Sequence, residues 1–234
     1  MKVTHNKYNP WPLGEIPEHL RRPEPEIIRK MGYKWKDPRD IVDIFENKVA
    51  KFAGSKYAVA VDSCSHAIFL SLMYELNNHS VLESTCVYIP RHTYCSIPQQ
   101  IYNAGFDCII KHDIEWHGIY RIDPTNVIDA ALRWTKGMYI KDSLMCLSFQ
   151  IKKRIPIGRG GMILCDHKDE RDWLRLARHD GRDLSTPYDS KDHVKFGGWH
   201  YYMTPEDAAR GIILMDNAPR VNEDQGGWKN YPPL

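Results

Sequence analysis

Apolar side chains fall into short clusters, separated by polar and turn-forming residues, along most of the chain. In "DPRDIVDIFENKVAKFAGS" they recur at helical spacing: Ile41, Ile44, Phe45, Val49 and Phe52. This predicts a helix opening at Asp37 or Pro38 and ending at Gly54. "KYAVAVDS" reads as a strand of small and β-branched residues, and "SHAIFLSLMYELN" as a helix that follows with almost no spacer. "SVLESTCVYIP" is a further strand, and "TYCSIPQQIYNAG" a helix closed by glycine, with Pro98 in the first turn where proline is tolerated. "DCIIKHD" is another strand, followed by "NVIDAAL", "LMCLSFQ" and "GGMILCD". Strands alternating with helices predict an α/β domain with a mostly parallel sheet flanked by helices. Residues 1–38 are rich in proline and tryptophan and lack periodicity, so they read as an extended N-terminal arm. Residues 39–216 form the large domain and 217–234 a C-terminal tail.

In such a sheet, ligands collect at the carboxyl ends of the strands. That rule selects Asp62 to Ser65, Pro90 to Tyr94, Asp113, Asp129, and Ser148 to Lys153. "VDSCSHAIF" sets Ser63 and Ser65 between a strand and a helix, either to bind a phosphate with the first helical amides or simply to cap the helix. Asp129 ends an apolar run, as the partner of a buried cation or as a cap. "LMCLSFQIKKRIPIGRGGMILCD" is the least ordinary stretch, because an apolar run meets Lys152, Lys153 and Arg154 and then turns through Gly158, Gly160 and Gly161. A lysine among apolar neighbours suits nucleophilic or imine-forming chemistry; solvated lysines in a surface loop are the plain alternative.

Composition narrows the function classes. The 234 residues are 42% hydrophobic and 26% charged with a formal charge of +2, the balance of a soluble globular protein, and this predicts neither nucleic-acid nor membrane binding. No apolar run approaches the ~20 residues that span a bilayer, and the amino terminus lacks the apolar core of a secretion signal. The six cysteines form no C-x-x-C pair, which predicts reduced thiols and a cytoplasmic location. No metal site is predicted, since His112 and His117 flank Asp113 and Glu115 at a spacing that fits no zinc motif. Nucleotide-binding glycine loops and the G-x-S-x-G elbow are missing from the sequence.

Five stretches in order resemble the DegT/DnrJ/EryC1/StrS family of sugar aminotransferases. They are "FENKVAKFAGSKYAVAVDSCSHAIFLSL", "IPRHTYCSIPQQIYNAGFDCIIKHD", "VIDAA", "SFQIKKRIPIGRGG" and "GGWHYYMTPEDAARGIILM". The resemblance implies a fold type I enzyme whose large domain binds pyridoxal 5'-phosphate (PLP). It implies that Lys153, five places after Ser148 and seven before the glycine pair, forms the internal aldimine. Asp129 would pair with the pyridinium nitrogen and Tyr94 would stack on the ring. Ser63, Cys64, Ser65 and Ser148 would hold the phosphate, and the glycines would let the backbone turn beside the cofactor. His200, at the place of an asparagine from the neighbouring subunit, implies a homodimer with a shared active site. The implied reaction moves an amino group from an amino acid, glutamate in this family, to a keto group on a nucleotide-linked sugar. Amination of a small keto acid, other PLP chemistry and a non-catalytic partner subunit are the alternatives.

The match has gaps. "YRIDPTNVIDAA" passes almost directly to the Asp129 strand, and the family's small C-terminal domain has no counterpart after Asp216. Leu132 stands where relatives carry glutamine or histidine, Tyr202 replaces an arginine, and Cys64 replaces a glycine.

Overall fold

The computed structural model of the protein describes residues 18–78, 85–187, 189–191 and 193–234. Its ordered elements are α1 (Glu24–Lys30), α2 (Asp40–Ala53), β1 (Tyr57–Val61), α3 (Cys64–Asn77), β2 (Cys86–Pro90), α4 (Ser96–Asn103) and β3 (Asp107–Lys111). They continue with β4 (Tyr120–Arg121), β5 (Val127–Asp129), β6 (Leu144–Ser148), β7 (Gly161–Cys165), α5 (Lys168–Ala177) and α6 (Pro205–Asn217). Five strands form one sheet in the order β1-β7-β6-β5-β4, and β2 pairs with β3.

The sheet is mixed where a mostly parallel one was expected. β5 and β6 are parallel, as are β2 and β3, but β7 runs antiparallel to both β1 and β6, and β4 antiparallel to β5. The reversal has a local cause: β6 returns to the sheet through the loop at 149–160 with no helix between, and a direct return can only reverse the strand. β1, β5 and β6 share one direction.

Helices cover both faces. Val59, Val61, Val127, Cys146, Ile163 and Cys165 share one buried cluster with α3 and α4. Their alternate neighbours Ala58, Ala60, Ile128, Met145, Leu147, Met162 and Leu164 share a second cluster with α2 and α6. This is why the strands read as continuous apolar runs: both faces are buried. Gly54 ends α2 in the left-handed region at φ 88°, as its position after Phe52 predicts.

Two expectations change in the described region. Residues 1–17 and 79–84 lie outside it, including most of the expected arm and the start of the strand predicted from Ser80. Within 18–38 the chain is not extended throughout: Glu24–Lys30 is helical and packs through buried Ile28, with Arg22 bridging Glu24 and Asp207 of α6. Helix α5 was not foreseen. Its sequence, KDERDWLRLA, buries only Leu174 and Ala177, too few positions to set a period. Among the described residues no helix is long and apolar enough to cross a membrane.

Candidate active site

Strand β5 delivers Asp129 to the carboxyl edge of the sheet, where the side chain is only 6% exposed. Its Oδ1 accepts the Ala131 amide and its Oδ2 accepts the Tyr120 hydroxyl, each at 2.9 Å. Burial above all holds the carboxyl above the usual aspartate range, against the opposing pull of the Ala131 amide, the Tyr120 hydroxyl and the Lys153 charge. Burial and the Asp129 charge push the Tyr120 phenol well above its ordinary value, so it keeps its proton and is the donor to Asp129. Thr93 Oγ1 lies 2.5 Å from the Tyr120 oxygen and is left to donate to it, giving the order Thr93 to Tyr120 to Asp129.

Lys153 comes from the loop after β6, the parallel neighbour of β5. It does not end the strand as the sequence suggested: β6 stops at Ser148, and Lys153 lies in a turn closed by its own N–H donating to the Gln150 carbonyl at 2.8 Å. The side chain is half-buried while Lys152 is exposed. Its charge lowers both the Asp129 carboxyl and the Cys64 thiol, which brings all three into one electrostatic neighbourhood.

The opposite wall is the start of α3. Ser63 caps it, accepting the His66 amide at 3.1 Å, so the capping role is the one its hydroxyl fills. Cys64 and Ser65 begin the first turn, where backbone amides have no partner within the helix. Cys64 Sγ lies 3.8 Å from the Cys146 carbonyl of β6; burial raises its thiol well above the ordinary range, and Asp129 and Cys146 add to this. Ser65 Oγ meets Ser96 Oγ at 2.7 Å and so ties α3 to α4, just after Tyr94, whose ring is 56% exposed at the mouth of the site. Ser148 faces Gly161 across β6 and β7 and accepts the Gln150 amide at 3.4 Å.

The glycine pair serves this wall. A Cβ on Gly161 would stand 2.5 Å from the Ser63 carbonyl carbon and 2.6 Å from the Cys64 nitrogen. Gly161 lets β7 pass directly beneath the β1–α3 turn, while Gly158 and Gly160, at φ 120° and 141°, supply the freedom to turn that the sequence suggested.

His200 is not gathered into this cluster. Its exposed imidazole lies 2.9 Å from Asp180 Oδ2 and edge-on to Tyr202. Thr93, from the selected Pro90 to Tyr94 stretch, belongs to the site, and so do three residues that sequence reasoning passed over: Tyr120, Gln225 and Tyr231. The last two lie in segment 218–234, which crosses the carboxyl edge. Asp224 pairs with Arg133 at 2.7 Å, Gln225 N–H donates to the Leu132 carbonyl at 2.9 Å, and Trp228 N–H to the Trp116 carbonyl at 3.0 Å. The Tyr231 carbonyl meets His92 Nδ1 at 2.9 Å, and its ring packs 5.7 Å from Trp116, which packs in turn on Tyr120. Burial, then Asp129, Cys64 and Tyr94, push the Tyr231 phenol upward.

A buried and incompletely neutralised carboxylate, an amine from the next loop and open helix amides make a particular donor set. It suits a ligand with a cationic ring atom, a reactive carbonyl and an anionic group. Residues 30–139 match the sequence model of the DegT/DnrJ/EryC1/StrS aminotransferase family. That stretch is similar to the DegT/DnrJ/EryC1/StrS aminotransferases. Ser63, Cys64, Ser65, Tyr94 and Asp129 fall inside the matched stretch, whereas Ser148, Lys153 and His200 lie beyond it.

Solved structures show the same fold. AtS13 from Actinomadura melliaura superposes with a TM-score of 0.67 at 18% identity over 82% of this chain and 63% of its own. The Helicobacter pylori aminotransferase PseC, involved in pseudoaminic acid biosynthesis, gives 0.62 at 13% identity, covering 86% and 64%. A GDP-4-keto-6-deoxymannose-3-dehydratase with a trapped PLP-glutamate geminal diamine gives 0.63 at 16%, covering 84% and 64%. The chain thus spans less than two thirds of the length of these structures. No curated protein matches the sequence. The architecture, a mixed sheet between helices, is compatible with the fold type I large domain.

Proposed function

We propose that the chain binds PLP and transfers an amino group from an amino acid, glutamate by preference, to a keto group on a nucleotide-linked sugar. The observation that carries this reading is Asp129: a carboxyl 6% exposed, raised by burial, with Lys153 from the adjacent loop acting on it. A buried acid so placed is costly unless a cationic group completes it, and the pyridinium nitrogen of PLP is such a group. Bound PLP would supply an electron sink that acidifies the Cα–H of an amino acid.

The chain's own residues then divide the work. Asp129, held by Tyr120 and Ala131, keeps the positive charge at the ring nitrogen. Tyr94 covers one face of the ring. The amides of Cys64 and Ser65, with Ser63 and Ser148 close by, receive the phosphate at the positive end of α3. Lys153 would hold the cofactor and would serve as the base that carries the proton from the donor Cα. His200, exposed and outside the cluster, is assigned to a second copy's site in a homodimer.

A second reading keeps the same PLP site and replaces amination with dehydration of a keto sugar, as in the dehydratase named above. Titration with PLP tests the site that both readings share, and the sugar product separates them. The proposal expects a near-visible absorbance band that is lost in Lys153→Ala and bleached by glutamate when the amino group is taken up. A missing band, or a band unchanged in Lys153→Ala, contradicts PLP binding through Lys153. Glutamate bleaching, followed by release of an unaminated, deoxygenated sugar, favours the second reading.

A further inference from the structure

Segment 218–234 has no counterpart in the motifs that carry the family resemblance, yet one of its side chains brackets Lys153. Gln225 Nε2 donates to the Lys152 carbonyl at 3.0 Å, and Gln225 Oε1 accepts the Arg154 amide at 3.0 Å. The backbone is therefore held on both sides of Lys153 by a single planar amide. The same residue's N–H donates to the Leu132 carbonyl at 2.9 Å, three positions after Asp129. Arg154 adds a second tie from its guanidinium to the Glu223 carbonyl at 3.2 Å, and Arg133 anchors Asp224. Apart from these ties the turn from Gln150 to Ile155 is held by local bonds, such as Lys152 N–H to Gln150 Oε1 and Lys153 N–H to Gln150 O, and by the burial of Ile155.

We propose that Gln225 is a positioning residue that couples the Lys153 turn to the end of β5 and so sets the Lys153 amine against Asp129. An amide is suited to the task because it offers one donor and one acceptor in a fixed plane, matching a carbonyl and an N–H two residues apart. A carboxylate could satisfy only the Arg154 side, and a shorter asparagine would not span both. The importance of the coupling for catalysis rests on the reading of Lys153 as the cofactor lysine; the coupling itself does not.

The test therefore has an arm that needs no cofactor. In the ligand-free protein, amide hydrogen exchange at Arg154 and the ratio of acylation at Lys153 to that at Lys152 by a small active ester are compared between wild type and Gln225→Ala. Asp224→Asn, which weakens the Arg133 anchor without touching the bracket, is the control. Gln225→Ala is expected to speed Arg154 exchange and shift the Lys153:Lys152 ratio by about tenfold, as for two lost hydrogen bonds. Asp224→Asn leaves the ratio near wild type. Gln225→Glu, which retains the acceptor for Arg154, keeps that amide protected and moves the ratio by a smaller factor, and it serves where the alanine variant does not fold. An unchanged ratio in Gln225→Ala, or an equal shift in Asp224→Asn, overturns the proposal. In the cofactor arm, Gln225→Ala loses PLP faster than wild type with its melting temperature held. Absence of a PLP band in wild type would defeat the functional reading and leave the first arm to decide the coupling.

Discussion

Asp129 is an acid whose neighbours favour its neutral form, and this has a measurable sign. A carboxyl raised in the fold above its unfolded value subtracts stability at neutral pH, and the penalty fades as pH falls through the folded value. Asp129→Asn is therefore expected to raise the melting temperature of the ligand-free protein at pH 7, an advantage that disappears in acid, while weakening PLP binding at least about tenfold. His179 has the opposite linkage. Burial first, then Arg178 and Arg182, depress its imidazole to about 3, so the neutral ring is favoured and stability falls as pH drops below the unfolded value of about 6.5. The slope should approach roughly 1 kcal/mol per pH unit and flatten in His179→Gln, which denaturant titrations at several pH values would measure. Asp129 was legible in the sequence because an apolar run stops on it. Thr93 lay in a selected stretch, but its bond to Tyr120 was not legible, since that contact joins distant parts of the chain and no local spacing encodes it.

Two contacts between elements govern how the site is held. Gly161 lets β7 run under the Ser63–Cys64 turn, so Gly161→Ala forces the two backbones apart at a cost of about 3 kcal/mol, with loss of anion binding at α3. Glu46 of α2 is buried and joins Arg175 and Arg178 as well as the Ala60 amide of β1. Removing it in Glu46→Ala leaves Arg178 buried and uncompensated, which should cost about 3 kcal/mol by thermal unfolding. Helices α2 and α3 and the central strands were readable because their burial repeats are long and clean. α1 and α5 were not, because short and highly charged helices bury too few side chains to leave a period. The reversed direction of β7 depends on the connection at 149–160, whose glycine content announces a turn without announcing which way the chain leaves it.

The whole molecule closes its own site with segment 218–234, which touches the loops after β2, β3, β5 and β6. Nothing in its sequence, rich in Pro, Gly and Asn, signals that placement; it follows from where α6 ends. Tyr231 packs on Trp116, and under the proposed reading this covers the cofactor site, so Tyr231→Ala should quicken PLP uptake in stopped-flow absorbance while lowering stability by about 2 kcal/mol. Lys153 and Asp129 are proposed to serve one cofactor at the carboxyl edge of the sheet. Reduction of the PLP-loaded protein with borohydride, followed by peptide mass spectrometry, tests it most directly. The account predicts a single phosphopyridoxyl adduct on Lys153, much diminished in Asp129→Ala. An adduct on Lys152 or spread over surface lysines, or one at Lys153 indifferent to Asp129, would contradict it.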